Sequence, residues 1–202
     1  MPKYFSIRPT WTFKGRRFQG VRGFSGKPFH PPLTDFPIVC YSLAAVFDLI
    51  SYVSGSDDPK GRDFFVAATF VMVSGFIVSL ATAFTGFWDW WRGIPRDRSH
   101  GWLGRAQHTQ VWRTINWHAI VMVTVTLIAL VDVILRIANF DQGYTGLFWL
   151  VLSALAALLV LFGAGYGGGL VFEYGFNVEM DEKAWEELDN DRYPIDRRRP
   201  RP

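Results

Sequence analysis

Four long apolar runs constrain this chain more than any other feature: Phe36 to Val53, Phe64 to Trp88, Ile115 to Ile137 and Thr145 to Phe172. Each is near or above the roughly 18 to 20 residues that cross a hydrocarbon core of about 30 Å at about 1.5 Å per residue. Single apolar helices can be buried in a water-soluble protein. Four of them within 202 residues leave too little polar chain to cover them. The expected fold class is therefore all-α, an integral membrane four-helix bundle over 36–172. A basic aromatic arm (1–35) precedes it and a charged tail (173–202) follows.

The basic residues orient the bundle. Seven lie in the arm (Lys3, Arg8, Lys14, Arg16, Arg17, Arg22, Lys27), five in the second connection (Arg92, Arg96, Arg98, Arg105, Arg113) and six in the tail, which is 18 of 21. The first and third connections hold only Lys60, Arg62 and Arg136. Cytoplasmic connections carry the excess of Lys and Arg, so both termini are expected in the cytoplasm of a bacterial inner-membrane protein. The arm has no apolar core of the kind a cleavable signal needs, so it is expected to be part of the mature protein.

Composition narrows the chemistry. A single cysteine, Cys40, rules out a disulfide framework and a cysteine metal site. Nine tryptophans suit a membrane interface, and Trp90, Trp91, Trp102 and Trp112 lie among the arginines of the second connection, as in a segment at headgroup level. The tail is acidic from Glu179 to Asp191 and then basic, the pattern of a solvated terminus. Helix 4 ends in "GAGYGGG", which sets Gly163 and Gly167, and Gly165 and Gly169, four apart. That spacing lets helix backbones approach closely, within the bundle or against another subunit. Ser74, Gly75, Ser79, Ala83 and Gly86 repeat the theme in helix 2.

With that orientation, His30 and Asp35 before helix 1, Asp89 after helix 2 and His118 at the start of helix 3 all fall near the cytoplasmic face. Asp48, about 12 residues into helix 1, and Asp132, about 17 into helix 3, fall in the outer half and can share one layer. Charges at membrane depth face the bundle interior or water and mark functional sites. The helix interiors offer these two no basic partner, so protonated or water-contacting carboxyls are expected there. Asp35 in "TDFP" reads as lying at or next to the N-cap of helix 1, with Pro37 in its first turn. His30 has no such structural account. Two histidines from different segments at one depth are the minimum for axial ligation of a haem between facing helices. His100 and His108, in the second connection, look ordinary.

"GKPFHPPLTDFPI" (26–38), "GFWDW" (86–90), "WHAIVMVTVTLIAL" (117–130) and "GYGGGLVFEYGFNV" (165–178) resemble a bacterial four-helix membrane family, domain of unknown function 2231. The resemblance covers the bundle, roughly 24–178, and neither terminal segment. It implies recurrent positions that fall on His30, Asp35, Asp89 and His118, with His in many relatives where this chain has Asp35. Some members look fused to Rieske-type iron–sulfur domains, which implies electron transfer near quinone. One cysteine gives this chain no such centre of its own.

Three functional expectations follow. Small size, close-packing glycines and the lack of a nucleophile or metal constellation suggest a non-catalytic accessory subunit of an energy-converting membrane complex, in contact with other membrane subunits and lipid and not with nucleic acid. The alternative is an electron-transfer module binding haem b or quinone through His30 and His118. A small ion or proton channel through Asp48 and Asp132 is the third.

Overall fold

The computed structural model describes residues 28–93, 96–97, 105–106 and 109–178. The arm before residue 28, the tail after 178, His100, Trp102 and His108 lie outside the described residues. Four helices run His30–Ser54 (α1), Pro59–Gly93 (α2), Gln110–Ala138 (α3) and Leu147–Phe172 (α4). All four are long and apolar enough to cross a membrane. Between α2 and α3, a two-residue strand β1 (Arg96–Asp97) pairs antiparallel with β2 (Arg105–Ala106), Arg96 opposite Ala106 and Asp97 opposite Arg105.

The helices alternate in direction and pack in a ring, α1 on α2, α2 on α3, α3 on α4 and α4 back on α1. One end of the bundle, the terminal end, holds the start of α1, the end of α2, the start of α3 and the end of α4. The other, the loop end, holds the two short connections. The core is a narrow seam of Tyr41, Ala44, Met72, Val125, Ala129, Val133, Ala156 and Val160. Outward-facing Val39, Val46, Phe70, Ile77, Phe84, Val123, Ile134, Leu158 and Phe162 stay exposed, the arrangement expected where lipid and not water is the outer solvent.

Helix α1 begins at His30, ahead of the apolar run, which corrects the expectation for Asp35. Proline fits a helix's first turn because the amide it lacks has no partner there, so Pro31 and Pro32 extend the helix where they looked like a barrier. Asp35 thus sits in the second turn with an exposed side chain, and no side chain caps α1. Pro37 is inside the helix, not in its first turn. Its missing amide would leave the carbonyl four residues back, Leu33, without a donor, and the Thr82 hydroxyl of α2 comes within 3.3 Å of that oxygen. Helix α3, by contrast, has an N-cap: the Thr109 hydroxyl accepts the Trp112 amide at 3.2 Å.

Glycine sets the closest approaches. A Cβ on Gly61 would lie 2.0 Å from the carbonyl oxygen of Gly55, so the α1–α2 turn closes only around a residue without a side chain. Gly55 itself ends α1 with φ +71°, its amide returning to Ser51 at 3.1 Å. Gly75 lets α2 lie on Cys40 and Tyr41 of α1, where a Cβ would come within 2.7 Å of the Cys40 Cβ.

Candidate cofactor-binding site

At the terminal end, the first residue of α1 and the ninth of α3 bring two imidazoles together. The ring centroids of His30 and His118 are 6.3 Å apart and their planes nearly perpendicular, at 84°. Each ring is held by the helix that follows it in sequence. His30 Nδ1 lies 3.0 Å from the Thr82 carbonyl oxygen and 3.4 Å from the Thr85 hydroxyl; His118 Nδ1 lies 2.9 Å from the Gly163 carbonyl oxygen. A carbonyl only accepts, so Nδ1 must carry the proton in both rings. That tautomer leaves the lone pair on Nε2, and among the described residues neither Nε2 has a hydrogen-bond partner.

Both docking sites have the same construction. The acceptor carbonyl belongs to residue i of a helix, and residue i+4 is glycine: Thr82 with Gly86 on α2, Gly163 with Gly167 on α4. A Cβ at Gly86 would stand 2.6 Å from His30 Cε1, and one at Gly167 would stand 3.3 Å from His118 Cε1. The glycines therefore leave room for an imidazole to lie against the helix and reach a helix carbonyl. Thr82 and Thr85 complete the polar wall: the Thr82 hydroxyl is 2.9 Å from the Val78 carbonyl, and the Thr85 hydroxyl is 3.0 Å from both the Ala81 and Thr82 carbonyls.

Two imidazoles each anchored through Nδ1 are residues that could hold a metal or cofactor through Nε2. A histidine ligand ordinarily donates its other N–H to a carbonyl or carboxylate, which fixes the ring and makes the ligating nitrogen more basic. Two imidazoles on opposite faces of one metal, with bonds of about 2 Å, have ring centroids about 6 Å apart. Among the described residues no group of three or more His, Cys, Asp or Glu side chains is placed to hold a metal ion.

The other two residues expected in this cluster differ. Asp89 is buried (6% exposed) on α2, three residues beyond Gly86, whereas Asp35 faces outward and does not join the histidines. At the same end of the bundle, Phe176 packs against the buried pair Ile115 and Leu170, as do Trp90 and Trp112. It is turned inward by Gly175 at φ +58°, its amide returning to the Leu170 carbonyl at 2.8 Å. A Cβ on Gly93 would meet the Phe176 ring at 2.5 Å, so the segment after α4 folds across the end of α2.

A second polar cluster is buried at the loop end. Asp48 and Asp132 do share a layer, but the expectation that no basic residue pairs with them is overturned. Arg136 lies between them, all three side chains at 0% exposure. Its Nη1 and Nη2 donate to the two oxygens of Asp48 at 3.1 and 2.5 Å, and its Nε donates to Asp132 Oδ1 at 2.9 Å. Thr145 just before α4 donates its hydroxyl to Asp48 at 2.8 Å and its amide to Ser51 at 2.8 Å, and Ser51 donates to the Gly61 carbonyl at 2.5 Å. The signal in the sequence was the i, i+4 spacing of Asp132 and Arg136, which puts both on one face of α3. Sorting Arg136 with the connecting loop hid it.

Of the helix 4 glycines, Gly163 and Gly167 face α3, a Cβ on Gly163 meeting Met122 Sδ at 2.8 Å. Among the described residues, nothing lies within 4 Å of a Cβ on Gly165, and only Glu173, which caps the same helix, lies near one on Gly169.

A family model described as predicted membrane protein (DUF2231) matches residues 26–180. This chain belongs to that family. The matched span contains every helix of the DUF2231 bundle, both histidines and the Asp48–Arg136–Asp132 cluster. No curated protein and no solved structure was found to match the chain.

Proposed function

We propose that this DUF2231 protein is a membrane electron-transfer module that holds a b-type haem between His30 and His118. The observation carrying this reading is that two imidazoles on different helices, 6.3 Å apart, both have Nδ1 engaged by a backbone carbonyl and, among the described residues, Nε2 left without a partner. Buried or interfacial histidines with structural roles use both nitrogens where they can; two with the same nitrogen open at one depth suit a shared ligand. Haem bound there would supply one-electron chemistry at its iron. The chain's own part is to fix both rings in the ligating tautomer through Thr82 and Gly163 and to surround them with apolar helices. The distribution of basic residues supports a site near the cytoplasmic face of a bacterial inner membrane.

The full chain, produced with haem precursor supplied and purified in mild detergent, is expected to show a Soret band and the sharp reduced-state visible bands of a low-spin bis-histidine haem. His30→Ala and His118→Ala should each abolish the low-spin spectrum. Absence of a Soret band in the unaltered chain sinks the haem reading, and protection of the same two histidines by added quinone would move the site to quinone binding.

Gly165, exposed on α4 with open space beyond it, favours a second and compatible reading: this module is one subunit of a larger energy-converting complex, with a neighbouring helix seated there. Co-migration with larger membrane subunits after mild solubilisation is the expected result; a stable monomer under those conditions counts against it.

A further inference from the structure

At the loop end, three fully buried charges do not cancel. Asp48 and Asp132 bring two negative charges against the single positive charge of Arg136, each at 0% exposure. Among the described residues the surroundings supply no further cation. Thr145, from the α4 side, and Ser51, from α1, are neutral, and α2 contributes Phe65, whose ring centroid is 5.6 Å from Arg136 Cζ. Arg62 is on that ring too, at 5.8 Å, but its guanidinium is turned to the carbonyls of Phe140 and Gln142. The nearby Lys60 is exposed and lies 3.9 Å from Asp58.

The two carboxyls are not equivalent. Asp48 has both oxygens engaged, by the forked guanidinium and by the Thr145 hydroxyl, the geometry of a fully stabilised anion. Asp132 receives one bond, on Oδ1; its Oδ2 is buried with no hydrogen-bond partner. Half of an ionised carboxylate left bare in a low-dielectric interior is costly, and far more so than a neutral hydroxyl in the same place. The excess charge is one unit and the bare oxygen is one.

We propose that Asp132 binds one proton on Oδ2, so that the Asp48–Arg136–Asp132 triad is a proton-binding site inside the membrane domain, neutral when occupied. The proton comes from water at the loop end and brings the cluster from one net negative charge to zero, with no electron transferred. This rests on the orphaned oxygen and the charge count and is independent of what His30 and His118 hold.

The test is infrared spectroscopy of the full chain in lipid nanodiscs at neutral pH, unlabelled and with aspartate carrying carbon-13 at its side-chain carboxyl. The expected result is a protonated-carboxyl stretching band that shifts with the label, is lost in Asp132→Asn and is retained in Asp35→Asn, where the replaced carboxyl is exposed. An amide imitates the protonated acid, so Asp132→Asn should also fold and melt close to the unaltered chain. Absence of a label-sensitive band in the unaltered chain overturns the proposal, as does a band that survives Asp132→Asn. Failure of Asp132→Asn to fold would count against it too, because it would mean the site needs the charge.

Discussion

Arg136 shows how much a single side chain can organise in a membrane bundle. It reaches a carboxylate on α1 and one on its own helix while lying over the Phe65 ring of α2, so three helices meet on one guanidinium. Arginine suits this role because its planar fork matches a carboxylate bidentately and its stem packs among apolar groups. Removing it strands two buried carboxyls, one of which already lacks a partner for Oδ2. Arg136→Gln is therefore expected to lower stability by about 3 to 5 kcal/mol, read as a fall of about 10 °C or more in the thermal midpoint in detergent. A midpoint within experimental error of the unaltered chain would show that the triad contributes nothing net. At this scale the sequence was only half legible. The depths of Asp48 and Asp132 followed from counting residues, but their pairing needed Arg136 to be recognised as the last turn of a helix. Asp35 misleads in the opposite direction: its residue type suits a helix start, yet it is the sixth residue of a helix that begins at His30.

Among the elements, the informative unit is a histidine near the start of one helix and the glycine of the next on which it lies. Gly86→Ala places a methyl group 2.6 Å from His30 Cε1 and would push the imidazole off its carbonyl. Overpacking of this kind costs about 1 to 3 kcal/mol, so under the proposed haem-binding function the haem content at limiting haem should fall about tenfold while the helical circular dichroism stays unchanged. Gly167→Ala, at 3.3 Å, should have a smaller effect. Equal haem retention in both variants would separate the glycines from the site. Gly61 and Gly143 make a stability pair: a Cβ at Gly61 meets backbone at 2.0 Å, whereas one at Gly143 meets nothing within 4 Å, so Gly61→Ala should destabilise strongly and Gly143→Ala little. The four helices could be read from apolar run lengths because lipid demands them. The carbonyl-plus-glycine docking could not, since a spacing of four small residues serves helix packing and ring docking equally well until the partner is known.

On the scale of the whole molecule, the two hairpins α1–α2 and α3–α4 present matching ends. Each offers one imidazole held on its own second helix, by Thr82 and Gly86 in one and by Gly163 and Gly167 in the other. The orientation expected from the basic residues can be checked with cysteine variants, since Cys40 is buried. Asp141→Cys, exposed at the loop end, should react with an impermeant maleimide on intact cells. Asp35→Cys, exposed near the terminal end, should react only after the membrane is opened; the reverse pattern would invert the bundle. Because each hairpin supplies half of the His30–His118 pair, neither holds a complete grip by itself. Anything seated between the rings then works as a clasp across the seam, and its occupancy is linked to hairpin association. At a free concentration one hundred times its dissociation constant, such a clasp would add about 2.7 kcal/mol to the docked state. Loss of the clasp would be felt first where the hairpins part, at the end that holds the start of α1 and the end of α4.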